Sequence, residues 1–385
     1  MTDFTFQTTP RAICETGGLA RLGELMAGLG VSRAVVVCDA GIAACGFADR
    51  AVSSLKAAGM AATVFDQVQA DPPVAVVRSA VETARAFDAD GVIGLGGGSS
   101  LDTAKLVALL VRSEQKIEEL YGVDLARGRR LPLIQVPTTA GTGSEVTWVS
   151  VVTSEANEKK AIYSSQLLPD IALLDAELTL GMPPRVTAAT ALDAMVHAIE
   201  AYTSRTRKNV ISDTLAMKGL ALLGANIRRV VADGSDIEAR SAMLQGSMLA
   251  GMAFVNASVA AVHALSYPLG ARFHVPHGHS NALVMGPVFR FNMPAAEKAY
   301  AELASSLLPD RHFASDAEAA QAFVSELEHL VASVGLETRL SQVGVTDRDI
   351  PDMAREVTVG IQRLLANNPR DMSLDDVIGI YRSVL

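Results

Sequence analysis

Cysteine is scarce in this sequence of 385 residues, which contains only Cys14, Cys38 and Cys45. Three cysteines cannot form the disulfide framework of a small secreted domain, and none of them stands in a CxxC pair. The first residues of the chain also lack the apolar stretch of a secretory signal peptide. These absences predict reduced thiols and a cytoplasmic protein.

Aromatic residues and positive charge are also in short supply. Aromatic side chains make up 5% of the sequence, with one Trp, and 33 basic residues against 42 acidic ones give a net charge of −9. Because nucleic-acid binding needs basic surfaces or aromatic stacking platforms, we expect no nucleic-acid partner. The apolar runs are short and interrupted, so we expect no membrane span.

Apolar strands and amphipathic helices alternate through the first half of the chain. Short β-branched runs, such as 34–38 and 91–95, have the character of buried parallel strands. This alternation predicts a doubly wound, mostly parallel, Rossmann-like sheet. In the second half, long Ala/Leu/Met stretches with helical spacing replace the strands. We therefore expect an α/β dinucleotide-binding domain at 1–184 and an all-helical domain at 185–385.

Glycine is concentrated where one of these strands is followed by a helix. Gly96, Gly97, Gly98, Ser99 and Ser100 come directly after the strand. Glycine lets the backbone approach an anion, and the start of a helix supplies N–H groups and positive potential. The spacing matches neither the GxGxxG nor the P-loop fingerprint. A tight structural turn is therefore the alternative to a pyrophosphate site.

A second polar loop, residues 137–145, also follows a predicted strand and contains Thr138, Thr139 and Thr142. Its hydroxyls and amides suit a sugar or a phosphate, although a loop capped by Thr142 would have the same composition. Asp39 ends the first strand, where a carboxylate can bond a ribose diol and repel a 2′-phosphate. This position favours NAD over NADP, with a turn-initiating Asp as the alternative.

Histidine and aspartate form a second candidate constellation. Asp193 and His197 are four residues apart in a predicted helix and therefore share one face. His263 lies in another apolar helix, and His277 lies in a predicted Pro-His-Gly loop that can present its imidazole inward. Each residue taken alone is more often a surface contact or a core histidine. Together, three imidazoles and one carboxylate predict a site for Fe(II) or Zn(II) with open positions.

Five longer stretches are similar to the iron-containing (group III) alcohol dehydrogenases. Their order and spacing agree with that family, and the resemblance covers nearly the whole chain. The stretches are GGGSSLDTAK at 96–105, PTTAGTGSEVT at 137–147, DAELTLGMPP at 175–184, ALDAMVHAIEAY at 191–202 and HALSYPLGARFHVPHGHSNA at 263–282.

The resemblance implies a dehydroquinate-synthase-like fold, with a helical domain that binds metal and substrate. It implies hydride transfer between NAD and a small alcohol or aldehyde, in a homodimer or higher homo-oligomer. The metal ligands that it implies are Asp193, His197, His263 and His277. The cofactor contacts that it implies are Asp39, Asp71, Gly96, Gly97, Gly98, Ser99, Ser100, Thr138, Thr139, Thr142, Val149 and Lys160.

The substrate pocket departs from the family in one place. Val149 and Phe254 fall where family members shape the substrate and nicotinamide pocket, with ordinary core packing as the alternative. Many members have a second His four residues after the third ligand, but this chain has Tyr267 there. The resemblance makes Tyr267 a candidate catalytic residue that donates a proton or a hydrogen bond. His274 and His279 do not fall on ligand positions.

Two other functions remain open from the sequence. The branch of hydroxyacid–oxoacid transhydrogenases is similar at Tyr267, and Arg205, Arg207 and Arg272 are candidates to reach a substrate carboxylate. A nucleotide-binding scaffold without catalysis is the non-enzymatic alternative, which the complete ligand set argues against.

Overall fold

The structure is a computed structural model that describes residues 3–156 and 158–385. The chain divides into two compact units, one of residues 7–181 and the other of residues 182–385 with residues 3–6.

The first unit is an α/β unit. Its strands are β1 (Ala12–Cys14), β2 (Arg33–Asp39), β3 (Ala61–Val68), β4 (Gly91–Gly96), β5 (Gly122–Val123), β6 (Leu133–Pro137), β7 (Val149–Thr153), β8 (Lys159–Tyr163) and β9 (Ile171–Leu174). Its α-helices are α1 (Leu22–Gly28), α2 (Ala40–Ala44), α3 (Phe47–Ala57), α4 (Val74–Ala86) and α5 (Gly98–Leu110).

Six of these strands form one parallel sheet in the order β1-β9-β6-β4-β2-β3. Every residue of β4 is buried, because helices pack on both faces of the sheet. The chain passes from β2 to β3 on one side and then to β4 on the other side of β2. This reversal is the topological switch point at which open α/β sheets bind ligands. The expected doubly wound, mostly parallel sheet is confirmed.

The second unit contains helices and no strand among its described residues. Its α-helices are α6 (Pro184–Tyr202), α7 (Val210–Ala232), α8 (Ile237–Ala257), α9 (Ala261–Phe273), α10 (His277–Leu307), α11 (Asp316–Ser333), α12 (Ile350–Arg355), α13 (Gln362–Leu365) and α14 (Leu374–Ser383). The expected helical domain is thus confirmed as a fold. The prediction that His277 lies in a loop was wrong, since His277 is the first residue of helix α10.

Helix α7 is long and apolar enough, by length and composition alone, to cross a membrane, and so is the bent pair formed by α8 and α9. In the structure α7 packs closely on α8. A Cβ atom at Gly219 would lie 2.9 Å from the Gly246 carbonyl oxygen, so the two backbones meet where both helices carry glycine. This is the packing of a core helix in a helical bundle.

The contact between α7 and α8 gives a stability prediction. Gly219→Ala should lower the free energy of unfolding by about 1–3 kcal/mol, because the new methyl group meets backbone atoms that cannot move aside. Gly379→Ala is the matched control, since Gly379 lies in α14 with open space around it. The control should stabilise the protein by about 0.5–1 kcal/mol. Denaturant unfolding followed by circular dichroism measures both, and equal effects of the two substitutions would contradict the prediction.

Candidate active site: a metal centre and a dinucleotide site

Three helices of the second unit bring the four predicted metal ligands together. Helix α6 carries Asp193 and His197, α9 carries His263, and α10 begins at His277. The first three side chains are buried, whereas that of His277 is 39% exposed. The predicted i, i+4 placement on α6 is present.

The Nε2 atoms of the three histidines surround one carboxylate oxygen. Oδ1 of Asp193 is 3.9 Å from His197, 3.8 Å from His263 and 3.6 Å from His277. Ligand atoms of Asp193, His263 and His277 all lie within 4.8 Å of one another. Donors that bind one cation at about 2.0–2.2 Å lie about 3–4 Å apart, so the three distances to Asp193 fit a divalent metal, although the group within 4.8 Å does not include His197. Three nitrogens and one oxygen suit Fe(II) or Zn(II).

A glycine allows the ligands on α6 and α10 to approach one another. Gly278 follows His277 directly, and a Cβ atom there would lie 2.2 Å from the Ala189 carbonyl oxygen and 3.1 Å from Cβ of Asp193. Any side chain at this position would push the start of α10 away from α6. The Pro-His-Gly stretch therefore matters because it lets two helices pack closely.

Aromatic rings lie against the histidines. Phe254 stacks on His197 with ring centroids 4.2 Å apart, and His197 stacks on His263 at 4.7 Å. The ring of Tyr267, one turn after His263 in α9, is 6.2 Å from that of His277. Phe254 and Tyr267, both predicted to line the substrate pocket, thus border the ligand cluster.

Two further residues contact the ligands, and neither was predicted from the sequence. Glu200 Oε2 lies 2.7 Å from Nδ1 of His263. Asn281, fully buried, donates from Nδ2 to Oδ1 of Asp193 at 2.6 Å. Burial lowers the pKa of His263, but the Glu200 and Asp193 carboxylates outweigh burial and leave this pKa raised. Periodicity offered one signal, since Asn281 stands four residues after His277 in the same helix.

Three other polar residues considered from the sequence, Arg205, Arg272 and His279, lie next to carboxylates outside the ligand cluster. Arg205 pairs with Asp371, and Arg272 pairs with Glu356. His279 Nε2 lies 3.3 Å from a carboxylate oxygen of Glu337. His274 ends α9 in the left-handed conformation.

The glycine-rich stretch in the first unit forms the turn between β4 and α5. A Cβ atom at Gly96, where φ is +145°, would lie 2.7 Å from Oγ of Ser100, and one at Gly98 would lie 2.9 Å from Cγ2 of Thr142. At Gly97 it would lie 3.5 Å from the Thr139 side chain. The glycines thus let the two predicted polar loops pack against each other.

The same turn leaves the start of α5 suited to an anion. Gly97 occupies the N-cap of α5 and makes no side-chain cap hydrogen bond. The first amides of this helix therefore remain available for the oxygens of a pyrophosphate. Thr138 lies beside this turn, since its N–H donates to the Gly96 carbonyl.

Two aspartates flank this turn, Asp39 at the end of β2 and Asp71 in the loop between β3 and α4. Asp39 caps α2 through the Ile42 N–H, and its other oxygen lies 3.4 Å from Oγ of Ser100. The backbone N–H of Asp71 donates to Oγ of Ser99 at 3.3 Å. Both aspartates therefore lie where the sequence predicts a dinucleotide.

The two lysines of β8 differ in their contacts. Lys159 binds the Asp71 carboxylate at 2.8 Å, whereas Lys160 pairs with Glu158 at 2.6 Å. Successive residues of a strand point to opposite faces, so only one of the two can face Asp71. Lys159 therefore contacts Asp71 and Lys160 does not, while the cofactor contact of Lys160 stays a prediction.

A buried polar network lies behind both loops. Lys105 Nζ, fully buried, donates to Oγ of Ser144 and to the carbonyl oxygen of Val149, both at 2.8 Å. Asp102 accepts a hydrogen bond from the Ser144 hydroxyl at 2.6 Å. Burial lowers the pKa of Lys105 to about 8 and raises that of buried Glu145 to about 7. The hydrogen bond from Lys105 therefore holds Val149 through its backbone carbonyl.

Comparison with known proteins assigns the chain to a family. The profile of iron-containing alcohol dehydrogenases matches residues 9–176, and that of the family's C-terminal domain matches residues 187–385. The chain belongs to the iron-containing alcohol dehydrogenase family. It is therefore an NAD-linked oxidoreductase that interconverts alcohols and aldehydes, and the non-enzymatic alternative is set aside.

Individual relatives agree over nearly their whole lengths. Long-chain-alcohol dehydrogenase 1 of Geobacillus thermodenitrificans is 39% identical over 95% of this chain and 93% of its own. A crystal structure of 1,3-propanediol oxidoreductase superposes with a TM-score of 0.96 at 31% identity and covers 100% of both chains. Sulfoacetaldehyde reductase of Bifidobacterium kashiwanohense, solved in complex with NAD⁺, superposes at 0.91 with 28% identity, over 100% of this chain and 99% of its own.

Glu145 gives a pH-dependent prediction. Because burial raises its pKa from 4.5 to about 7, the folded protein keeps this proton at pH values where the unfolded chain has lost it. The unfolded state therefore binds fewer protons between pH 4.5 and 7, and stability falls as the pH rises through this window. Relative to Glu145→Gln, the wild type should lose about 3 kcal/mol of stability across it.

Urea unfolding at several pH values between 4.5 and 7.5 measures this difference. Glu82→Gln, at an exposed position of α4, is the control and should follow the wild-type profile. A constant difference between the wild type and Glu145→Gln at every pH would contradict the prediction.

Proposed function

We propose that Asp193, His197, His263 and His277 bind one divalent cation, Fe(II) or Zn(II), at which a small alcohol is oxidised or its aldehyde reduced. The observation that supports this most is the convergence of three imidazole Nε2 atoms on Oδ1 of Asp193. Three helices direct these atoms to one point, which random surface or capping contacts would not do.

The roles of the residues follow from their chemistry. A divalent cation in this position acts as a Lewis acid, which lowers the pKa of an alcohol oxygen or polarises a carbonyl. The histidines must present unprotonated Nε2 atoms, so each needs its proton on Nδ1. Phe254 provides an apolar wall beside His197, and the hydroxyl of Tyr267 is the group proposed to donate a proton or a hydrogen bond to the substrate.

We assign NAD binding to the turn between β4 and α5 and to the polar loop after β6. The glycines and the first amides of α5 would hold the pyrophosphate, while Thr138, Thr139 and Thr142 would hydrogen-bond the cofactor. Asp39 would bond the ribose hydroxyls and exclude a 2′-phosphate. Asp71 and Val149 complete the proposed contacts, and Lys160 stays a proposed contact beside Lys159.

We further propose the division of labour between the two parts of the chain, with the dinucleotide in residues 1–184 and metal and substrate in residues 185–385. A cytoplasmic location and a homodimer or higher homo-oligomer are also proposed. Light scattering on the purified protein measures the oligomeric state directly.

Loss of one ligand tests the metal proposal. His263→Ala should lower the turnover of the Fe(II)- or Zn(II)-loaded enzyme on the order of a hundredfold or more, because an imidazole donor is removed from the site. NADH production from a panel of short alcohols, with protein purified without oxygen, is the assay. NADH binding, followed by fluorescence, should survive the substitution. The control is His312→Ala at an exposed position, and full activity of metal-stripped His263→Ala would refute the proposal.

Asp39 tests the cofactor proposal. Asp39→Ser keeps a side-chain oxygen that can cap α2 but removes the negative charge. The ratio of kcat/KM with NADP to kcat/KM with NAD should rise about tenfold or more, since a 2′-phosphate no longer meets a carboxylate. Asp49→Ser, in the first turn of α3, is the control. An unchanged ratio would show that Asp39 does not face the ribose.

Tyr267 supports a second candidate, a transhydrogenase that passes hydride from a hydroxyacid to an oxoacid with tightly held cofactor. Its ring lies 6.2 Å from that of His277, beside the proposed metal site. The same assay separates the two functions. Oxoacid-dependent turnover of a hydroxyacid without added NAD would favour this candidate, and NADH release from an alcohol would favour the dehydrogenase.

A further inference from the structure

Glu200 lies outside the proposed ligand set but touches one of its members. We propose that Glu200 is a positioning residue of the metal centre, which caps helix α9 and fixes the ring orientation and tautomer of His263. The inference rests on the proposed function, since it concerns how His263 is prepared to bind the cation.

The carboxylate of Glu200 accepts three hydrogen bonds inside the second unit. Oε2 accepts from the Ala260 N–H at 2.7 Å and lies 2.7 Å from Nδ1 of His263. Oε1 accepts from the Val262 N–H at 2.6 Å. The side chain is 2% exposed, so these contacts replace water entirely. A buried carboxylate is tolerated only with such complete satisfaction.

Two of these hydrogen bonds cap a helix from outside. Ala260 occupies the N-cap of α9 and has no side chain that could accept from the first turn. Glu200 of α6 supplies the missing acceptor, and its negative charge lies at the positive end of the helix. The start of α9 is also held from Asn367, whose Nδ2 donates to the Val259 carbonyl at 3.2 Å. These contacts fix the start of α9 and therefore the location of His263, which lies in its first turn.

The third contact sets the proton of His263. Glu200 is an acceptor at Nδ1, so a neutral imidazole carries its proton there. The lone pair is then on Nε2, the atom 3.8 Å from Oδ1 of Asp193. Carboxylates that hydrogen-bond the outer nitrogen of a metal-binding histidine fix its tautomer and raise its basicity.

Only a carboxylate satisfies all three partners, because each of them is an N–H donor. In Glu200→Gln the amide must turn its NH₂ group either toward Val262 or toward Ala260 and His263. The first arrangement keeps an acceptor at Nδ1 of His263 but sets the amide NH₂ against the Val262 N–H, which weakens the cap at the start of α9. The second favours the opposite tautomer, with the proton on Nε2, where it blocks coordination. Both arrangements impair the centre even though the side chain keeps its size.

Metal affinity tests the inference independently of turnover. Zn(II) is titrated into full-length protein in competition with a chromophoric chelator. Glu200→Gln should bind Zn(II) about 10–100-fold more weakly than the wild type. NADH binding, followed by fluorescence, should change by less than about twofold. Glu302→Gln is the matched control, because Glu302 is a carboxylate that bonds the Tyr202 hydroxyl near the end of α6 and touches no proposed ligand.

The outcomes separate this inference from the proposed function. Wild-type Zn(II) affinity in Glu200→Gln would overturn the positioning role while leaving the metal proposal standing. Failure of the wild type to bind Zn(II) would overturn the metal proposal and this inference with it. If Glu200→Gln does not fold, ¹⁵N NMR of the zinc-loaded wild type decides the matter. A proton on Nδ1 of His263 supports the inference, and a proton on Nε2 refutes it.

Discussion

The second unit is organised around the burial of one carboxylate among three imidazoles. A buried carboxylate without partners costs several kcal/mol; Asp193 accepts a hydrogen bond from Nδ2 of Asn281, and the cation proposed to lie among the three Nε2 atoms would balance its charge. This requirement fixes the start of α10 against α6, which explains the glycine at position 278. It also fixes the start of α9, where a second carboxylate takes the place of a capping side chain. The burial of Asp193 and the packing of α9 and α10 against α6 thus depend on the same contacts.

Much of the first unit could be predicted from sequence, because its signals are local. The β-branched runs at β2, β4 and β6 are continuous, and each polar loop follows its strand within a few residues. Parallel strands end at one edge of their sheet, so Asp39, the glycine-rich turn and the threonine loop had to meet there. Strands β1, β5, β7, β8 and β9 were not predicted; of these, the short strands β1, β5 and β9 pair with partners that are distant in the sequence. Residue 12 pairs with residue 172, for example.

The metal centre was only partly predictable, because its supporting contacts are not local. Helical periodicity put Asp193 and His197 on one face, and the predicted helix and loop made His263 and His277 candidates; the family resemblance then implied the same four ligands. Nothing near Glu200 in the sequence signals its contact with His263, 63 residues away. The Pro-His-Gly stretch resembled a loop because proline and glycine usually end helices, whereas here proline precedes the first turn and glycine relieves a close contact.

The two candidate sites differ in the groups that bind the ligand, which are backbone amides in the dinucleotide site and side chains in the metal site. This difference explains why the dinucleotide site has a contiguous motif. A pyrophosphate is bound mainly by backbone amides, so its site needs consecutive glycines and buried side chains that hold the loops in place. Lys105 is such a side chain, since it is fully buried and bonds the loop at Ser144 and Val149. A metal ion is bound by side chains, so its ligands need only converge in space and can come from three helices. Substitutions of the side chains that hold the loops should therefore act through loop geometry, whereas those in the metal centre act through the donor atoms themselves.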